Sequence, residues 1–305
     1  MLKAASAFVV PRLAFTRVLK GRGSAFAALL SVIVAALVPL AASGAKTPER
    51  VISTDAAITE IVIALGALDR LVGVDDTSEI PVEQSSLPRL GYHRALSAEG
   101  LLSLDPDQLL VSEHAGPTRA LAPLEAASVP LLRLPSAHDV AGLKSNVRSI
   151  AAALAIPKEG ESLLGQIDTR AALINTYAPR IAPRAVLLRE SNGELRVAGQ
   201  GSAGNALLVL LGAENVVDYR GYRTFTAEGL LALNPEVLLI ADETLPSGAQ
   251  WLSRYPLLRY SQAAEAQAVI SVDSRALVGG LSLTALSEAE RILKLMSGTQ
   301  KVVGP

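Results

Sequence analysis

Residues Gly91–Val111 read GYHRALSAEGLLSLDPDQLLV, and Gly221–Ile240 read GYRTFTAEGLLALNPEVLLI. From Ser97 and Thr226 onward the two stretches match, or swap like for like, at most positions. Ala98 and Ala227 are 129 residues apart. Upstream of that point the second copy is one residue shorter. Solenoid repeats recur every ~20–50 residues, so one recurrence at this separation points to two similar lobes. Each copy opens on Gly-Tyr with a basic residue close behind, which is chemistry directed at something outside the core.

Working outward from the first copy, short apolar runs alternate with helical periodicity. Residues 50–53, 71–74, 108–111 and 130–134 read as strands. Residues 59–68, 118–127 and 139–155 read as helices. Strands alternating with helices imply a parallel sheet covered on both faces. Around the second copy, 184–188, 237–240 and 268–272 read as strands, and 205–211 and 283–296 as helices. Between the halves, Pro157 to Tyr177 keeps helical spacing until Pro179 and Pro183 close it, so the lobes are joined by a long helix rather than a loose linker. The expected fold is α/β: two Rossmann-like lobes with mostly parallel sheets, spanning 46–156 and 183–305, bridged by 157–182. A single bridging helix predicts a cleft with small lobe motion.

The N-terminus bears on compartment. Lys3, Arg12, Arg17, Lys20 and Arg22 precede an apolar run from Ala25 to Ala42 and the small residues Ser43-Gly44-Ala45. This is the pattern of a secretory signal cleaved after Ala45; an uncleaved anchor is the competing reading, since 18 apolar residues approach the ~20 that span a bilayer. The chain has no cysteine, which excludes a lipoprotein cysteine, disulfides and thiolate metal sites. Removing 1–45 takes away five bases and no acids, leaving 23 bases against 29 acids and a net charge of −6. That sign argues against nucleic acid as a partner. Walker, G-x-S-x-G and H-E-x-x-H patterns are absent. The Gly-rich stretch 199–204 reads as a tight turn in which Ser202 or Asn205 caps the next helix.

Candidate ligand chemistry concentrates in the two Gly-Tyr loops. A tyrosine phenolate is a hard anionic donor suited to Fe(III), including haem iron. A neighbouring guanidinium lowers a phenol's pKa and pairs carboxylates. Tyr92 and Arg94 have this character; the bland reading is a packed ring with a satisfied hydroxyl. Tyr219, Arg220, Tyr222 and Arg223 suit a flat anionic ligand, or form a solvated loop. His114 follows a strand and would face the same crevice as Tyr92, or simply solvent. His93, His114 and His138 are too scattered for a bare metal cage. Glu99 and Glu228 sit in the first turns of their helices, where a carboxylate stabilises the dipole. Their recurrence in both lobes also suits docking onto a two-fold symmetric partner with basic sockets.

These residues resemble a known group. RVISTDAAITEIVIALGALDRLVGVD, GYHRALSAEGLLSLDPD and AGQGSAGNALLVLLGAENVVDYRGYRTFTAEGLLALNPEVLLI are similar to the class III substrate-binding proteins of ABC importers, and in particular to the periplasmic haem-binding HmuT/ShuT/PhuT group. The resemblance covers essentially the whole chain beyond the leader. It implies a periplasmic protein that carries haem, Fe(III), in the interlobe cleft to an inner-membrane ABC permease dimer and its ATPase, with no catalysis. By resemblance Tyr92 is the axial iron ligand and Arg94 its supporting arginine. Arg223 supports the haem from the second lobe with Tyr222 beside it, and Glu99 and Glu228 dock the permease. Two departures stand out: His114 replaces a commonly small residue, and Val278-Gly279-Gly280-Leu281-Ser282 replaces a GPR-T-P pattern. A siderophore or cobalamin binder of the same fold, or an extracytoplasmic haem-processing enzyme, are the alternative readings.

Overall fold

The computed structural model describes residues 47–300, with side chains to residue 296. The leader expected over 1–45 lies outside the described residues. Among them, no helix is long and apolar enough to cross a membrane.

The first lobe is built from β1 (Val51–Thr54), α1 (Ala56–Ala64), β2 (Leu71–Val74), α2 (Ala98–Leu102), β3 (Gln108–Ser112), α3 (Thr118–Ala126), β4 (Leu131–Leu134) and α4 (Val140–Ala153). Its strands form an all-parallel sheet in the order β2-β1-β3-β4. β1 and β3 are buried along their whole length. A strand covered on both faces has no polar alternation, which is why these runs read as continuous apolar stretches. α1 begins earlier than its periodicity indicated, because Asp55 Oδ1 accepts the Ala57 N–H at 3.1 Å and caps the helix.

The bridging helix α5 runs Pro157–Tyr177, with proline in its first turn, where the missing N–H costs nothing. The second lobe contains β5 (Arg184–Ser191), β6 (Glu194–Ala198), α6 (Ala203–Leu210), β7 (Glu214–Asn215), β8 (Tyr222–Phe225), α7 (Ala227–Leu233), β9 (Val237–Ala241), α8 (Gly248–Arg254), α9 (Gln262–Glu265), β10 (Val269–Val272) and α10 (Leu283–Gln300). Its parallel strands run β7-β5-β9-β10, the counterpart of the first sheet. The sheet is nonetheless mixed: β6 pairs antiparallel with the C-terminal half of β5, and β8 pairs antiparallel with β6. The loop expected at GYRTF is therefore partly a strand, whereas GYHRAL is a turn. The Ser191-Asn192-Gly193-Glu194 corner supplies the hairpin, with Asn192 and Gly193 both at positive φ.

The lobes share more than α5. One continuous apolar cluster holds Leu110 of the first lobe, Ile167 of α5, Leu239 of the second lobe and Leu286 and Ile292 of α10. α10 packs along α5 and touches α1. Glu60 of α1 caps α10: Oε1 accepts the Leu283 N–H, while Oε2 accepts the Thr284 N–H at 3.1 Å and its hydroxyl at 2.7 Å. Close packing and the Glu60 carboxyl cap tie the halves together, so the lobes are joined by two helices and a shared core rather than by one helix alone.

Candidate functional site

The strand ends define a crevice between the lobes, as they do in open α/β sheets. A cavity of about 590 Å³ lies there, within the ~300–1,000 Å³ typical of small-molecule sites. The first lobe contributes Asp55, Tyr92, His93, Arg94, His114 and His138; the second contributes Arg189, Ser202 and Tyr222, with Gly279 and Gly280 on the segment leading to α10.

Tyr92 sits at the start of a tight turn. Gly91, at φ +80°, delivers the chain from the segment beside β2, and the Tyr92 carbonyl accepts the Ala95 N–H at 2.7 Å. The turn is pinned beneath by His93, which is 4% exposed. Its Nδ1 lies 3.0 Å from Asp75 Oδ2, and its carbonyl accepts the Gly116 N–H at 2.9 Å. The His93 and Tyr92 rings are 4.4 Å apart, tilted by 50°. Burial would raise the Asp75 pKa, but hydrogen bonds from His93, Ser78 and Thr77 outweigh it and hold the carboxyl below its ordinary range. Asp55 goes the other way: burial raises it, and the nearby His93 offsets only part of that. The turn thus rests on a hydrogen-bonded buried base while Tyr92 itself stays 48% exposed.

The two Gly-Tyr motifs are not equivalent. Along β8, alternate residues face opposite sides of the sheet. Tyr222 turns to the cleft, its ring packed against the shared core. Burial pushes its phenol pKa up, with Arg189 and hydrogen bonds from Gly204 and Ser202 acting in the other direction. Arg223 points to the other side, its guanidinium 4.4 Å from the centre of the Tyr219 ring, which in turn stacks on Phe225. Arg223, expected at the ligand, is not among the residues lining the cleft; strand periodicity places it on the far face. Arg189, at the C-terminal half of β5, is the second-lobe arginine that reaches the cavity, 5.0 Å over the Tyr222 ring. Sequence reasoning passed over Arg189 and Asp75. The available signal was their position, each a charged residue ending or following an apolar parallel strand on the ligand-binding edge.

His114 lines the cleft but is exposed, 3.8 Å from Glu113. Among the described residues no group of three or more metal-ligating side chains converges. Ser202 Oγ accepts the Asn205 N–H at 3.2 Å and caps α6, as the Gly-rich stretch suggested. Glu99 and Glu228 are exposed residues in the first turns of α2 and α7. The caps are matched: Ser97 Oγ accepts from Gly100 N–H at 3.0 Å and Thr226 Oγ1 from Gly229 N–H at 3.2 Å. Hydrogen bonding from its own backbone N–H and from Thr226 lowers the Glu228 pKa.

Two α/β lobes closing on a cleft of this size define a solute-binding protein. The chain belongs to the periplasmic binding protein family, which it matches over residues 51–276. It is similar to the periplasmic heme-binding protein HutB of Vibrio cholerae, with 31% identity, a TM-score of 0.75 and coverage of 81% of this chain and 98% of that one. A periplasmic heme-binding protein from Pseudomonas aeruginosa is 32% identical, with a TM-score of 0.73 and coverage of 81% and 92%. The vitamin B12-binding protein of Vibrio cholerae is 23% identical over 67% of this chain and 74% of its own length. These relatives are solute-binding proteins rather than enzymes.

Proposed function

We propose that this protein captures ferric haem in the interlobe cleft, outside the cytoplasmic membrane, and delivers it to an ABC permease. The observation that carries the reading is Tyr92. Its ring is half exposed in the cleft, its turn is anchored by His93 and Asp75, and Arg94 stands two residues away. A tyrosine oxygen in such a place is a ligand for Fe(III), and the Arg94 guanidinium on the same turn is suited to pairing an anionic edge of the ligand. Tyr222, the other tyrosine of the cavity, is half-buried with its ring packed against the shared core, and burial holds its phenol pKa up, so Tyr92 is the tyrosine better placed to take the metal. The heme-binding relatives support the ligand; the vitamin B12-binding relatives carry the competing reading, in which cobalamin fills the cleft and the phenol has no metal to bind.

A hemin titration of the mature protein separates the two. The haem reading expects a Soret band with high-spin tyrosinate features, and Tyr92→Phe should weaken binding by about ten-fold or more, or ~1.4 kcal/mol. Apoprotein that ignores hemin and binds cobalamin overturns the reading. For delivery, the matched helix termini carrying Glu99 and Glu228 form the surface that a symmetric permease with basic sockets would engage.

A further inference from the structure

Tyr92 reaches the cleft with little support of its own. Its ring is half-exposed, and among the described residues its hydroxyl has no hydrogen-bond partner. Its aromatic contact is the His93 imidazole, 4.4 Å away between centres and tilted by 50°, so the rings meet as surfaces. The imidazole, by contrast, is fixed. Asp75, fully buried, meets its Nδ1 through Oδ2 at 3.0 Å. The same carboxylate accepts the Thr77 hydroxyl at 2.6 Å and the Ser78 hydroxyl at 2.5 Å. Ser78 Oγ lies 2.6 Å from Thr59 Oγ1, which lies 2.8 Å from Ser53 Oγ, so a chain of buried hydroxyls ties this base to β1. Apolar side chains of similar volume often fill such a space as stably as a buried polar pair. What the His93–Asp75 pair adds is one fixed plane for a flat ring.

We propose that His93, locked by Asp75, is a positioning residue for the iron ligand: its imidazole props the Tyr92 ring where the phenol oxygen meets Fe(III). The assignment rests on the haem reading and adds to it the element that orders Tyr92 before the ligand arrives. An exposed ring without a prop samples several staggered rotamers, and ordering such a side chain on binding costs about two- to ten-fold in affinity. His93 is not itself the ligand, since Asp75 holds one ring nitrogen and the side chain is buried.

The test titrates hemin and iron-free protoporphyrin IX into wild-type protein, His93→Ala, His93→Gln and Tyr92→Phe, with each His93 change also made on Tyr92→Phe. His93→Ala should weaken hemin by about two- to ten-fold and the porphyrin, which offers the phenol no metal, by less than about two-fold. His93→Gln keeps a donor for Asp75 and loses the ring, so it retains the buried hydrogen bond if the alanine variant fails to fold. It should weaken hemin to the same extent and keep the tyrosinate features at saturation; far-UV circular dichroism checks folding. On Tyr92→Phe neither change should weaken hemin further, because the prop acts only through the phenol oxygen. Wild-type hemin affinity in His93→Gln, equal weakening of hemin and porphyrin, or losses that add to that of Tyr92→Phe overturn the positioning role and leave the haem reading intact. A Soret spectrum changed by His93→Gln and untouched by Tyr92→Phe makes His93 the ligand and overturns the assignment. Wild-type protein that does not bind hemin overturns the haem reading and, with it, this assignment.

Discussion

Gly279→Ala is a sharp probe of how the cleft floor is built. Gly279 has φ +81°, and an added Cβ would lie 2.0 Å from Asp55 Oδ1 and 2.8 Å from the Ala57 Cβ. Asp55 cannot simply swing away, because the same Oδ1 accepts the Ala57 N–H and caps α1. Two costs add. A left-handed conformation disfavours an L side chain by about 1–2 kcal/mol. Displacing the contacts costs about 1–3 kcal/mol for overpacking, or about 0.5–2 kcal/mol where the cap is lost. Reduced freedom of the unfolded chain returns about 0.4–1 kcal/mol. The net destabilisation is about 2–4 kcal/mol, a fall in Tm of roughly 5–15 °C for a chain of this size. Gly66→Ala is the internal control: its φ is +75° and nothing lies within 4 Å of the added methyl, so it carries the backbone cost alone, about 1 kcal/mol. Urea unfolding followed by circular dichroism measures both. Equal losses in the two variants, within about 0.5 kcal/mol, would refute the claim that Gly279 is required by close approach to Asp55.

Other consequences are equally concrete. Glu99→Gln combined with Glu228→Gln should leave hemin affinity unchanged and abolish uptake in a reconstituted transporter; wild-type uptake by the double variant would reduce both residues to helix-terminal charges. Burial raises the Glu60 pKa above its ordinary 4.5, with hydrogen bonds from Thr284 and Leu283 only partly offsetting it. A carboxyl whose folded pKa is raised binds its proton more tightly in the fold. Its contribution is then full below 4.5 and is lost as pH rises through the folded value. Glu60→Gln should therefore gain stability relative to wild type as pH climbs from about 4.5 through the folded value; a difference independent of pH would contradict the burial argument.

Much of the architecture was legible because burial writes itself into short-range pattern. The AEGLL helices and the strands after them appear in the structure as read, since a doubly covered strand is an apolar run and the capping by Ser97 and Thr226 is a contact over three residues. The start of α5 was legible because Pro157 opens it, and apolar spacing carries it to about Tyr177, short of the 182 given for the bridge. β6 and β8 were missed. Glu194–Ala198 alternates weakly, and its partners, Leu188 to Ser191 on one side and Tyr222 to Phe225 on the other, are set by pairing across a hairpin and a distant crossover.

The same division holds for the site. Two lobes, an acidic helix in each and a Gly-Tyr motif ahead of each helix could all be read from the chain alone. These follow from repetition, periodicity and residue type. Which side chains share the cavity depends on how the strands pair. Once Tyr222–Phe225 becomes a strand, alternation sends Tyr222 to the cleft and Arg223 to the opposite face. Antiparallel register then brings Arg189 and Arg196 together, although seven positions separate them in the chain. His93 was visible in the sequence only as an isolated ring; its pairing with Asp75 beneath Tyr92 exists because the turn after β2 folds back on the strand's end. Facing and pairing of this kind depend on contacts between segments distant in sequence, which no local pattern encodes.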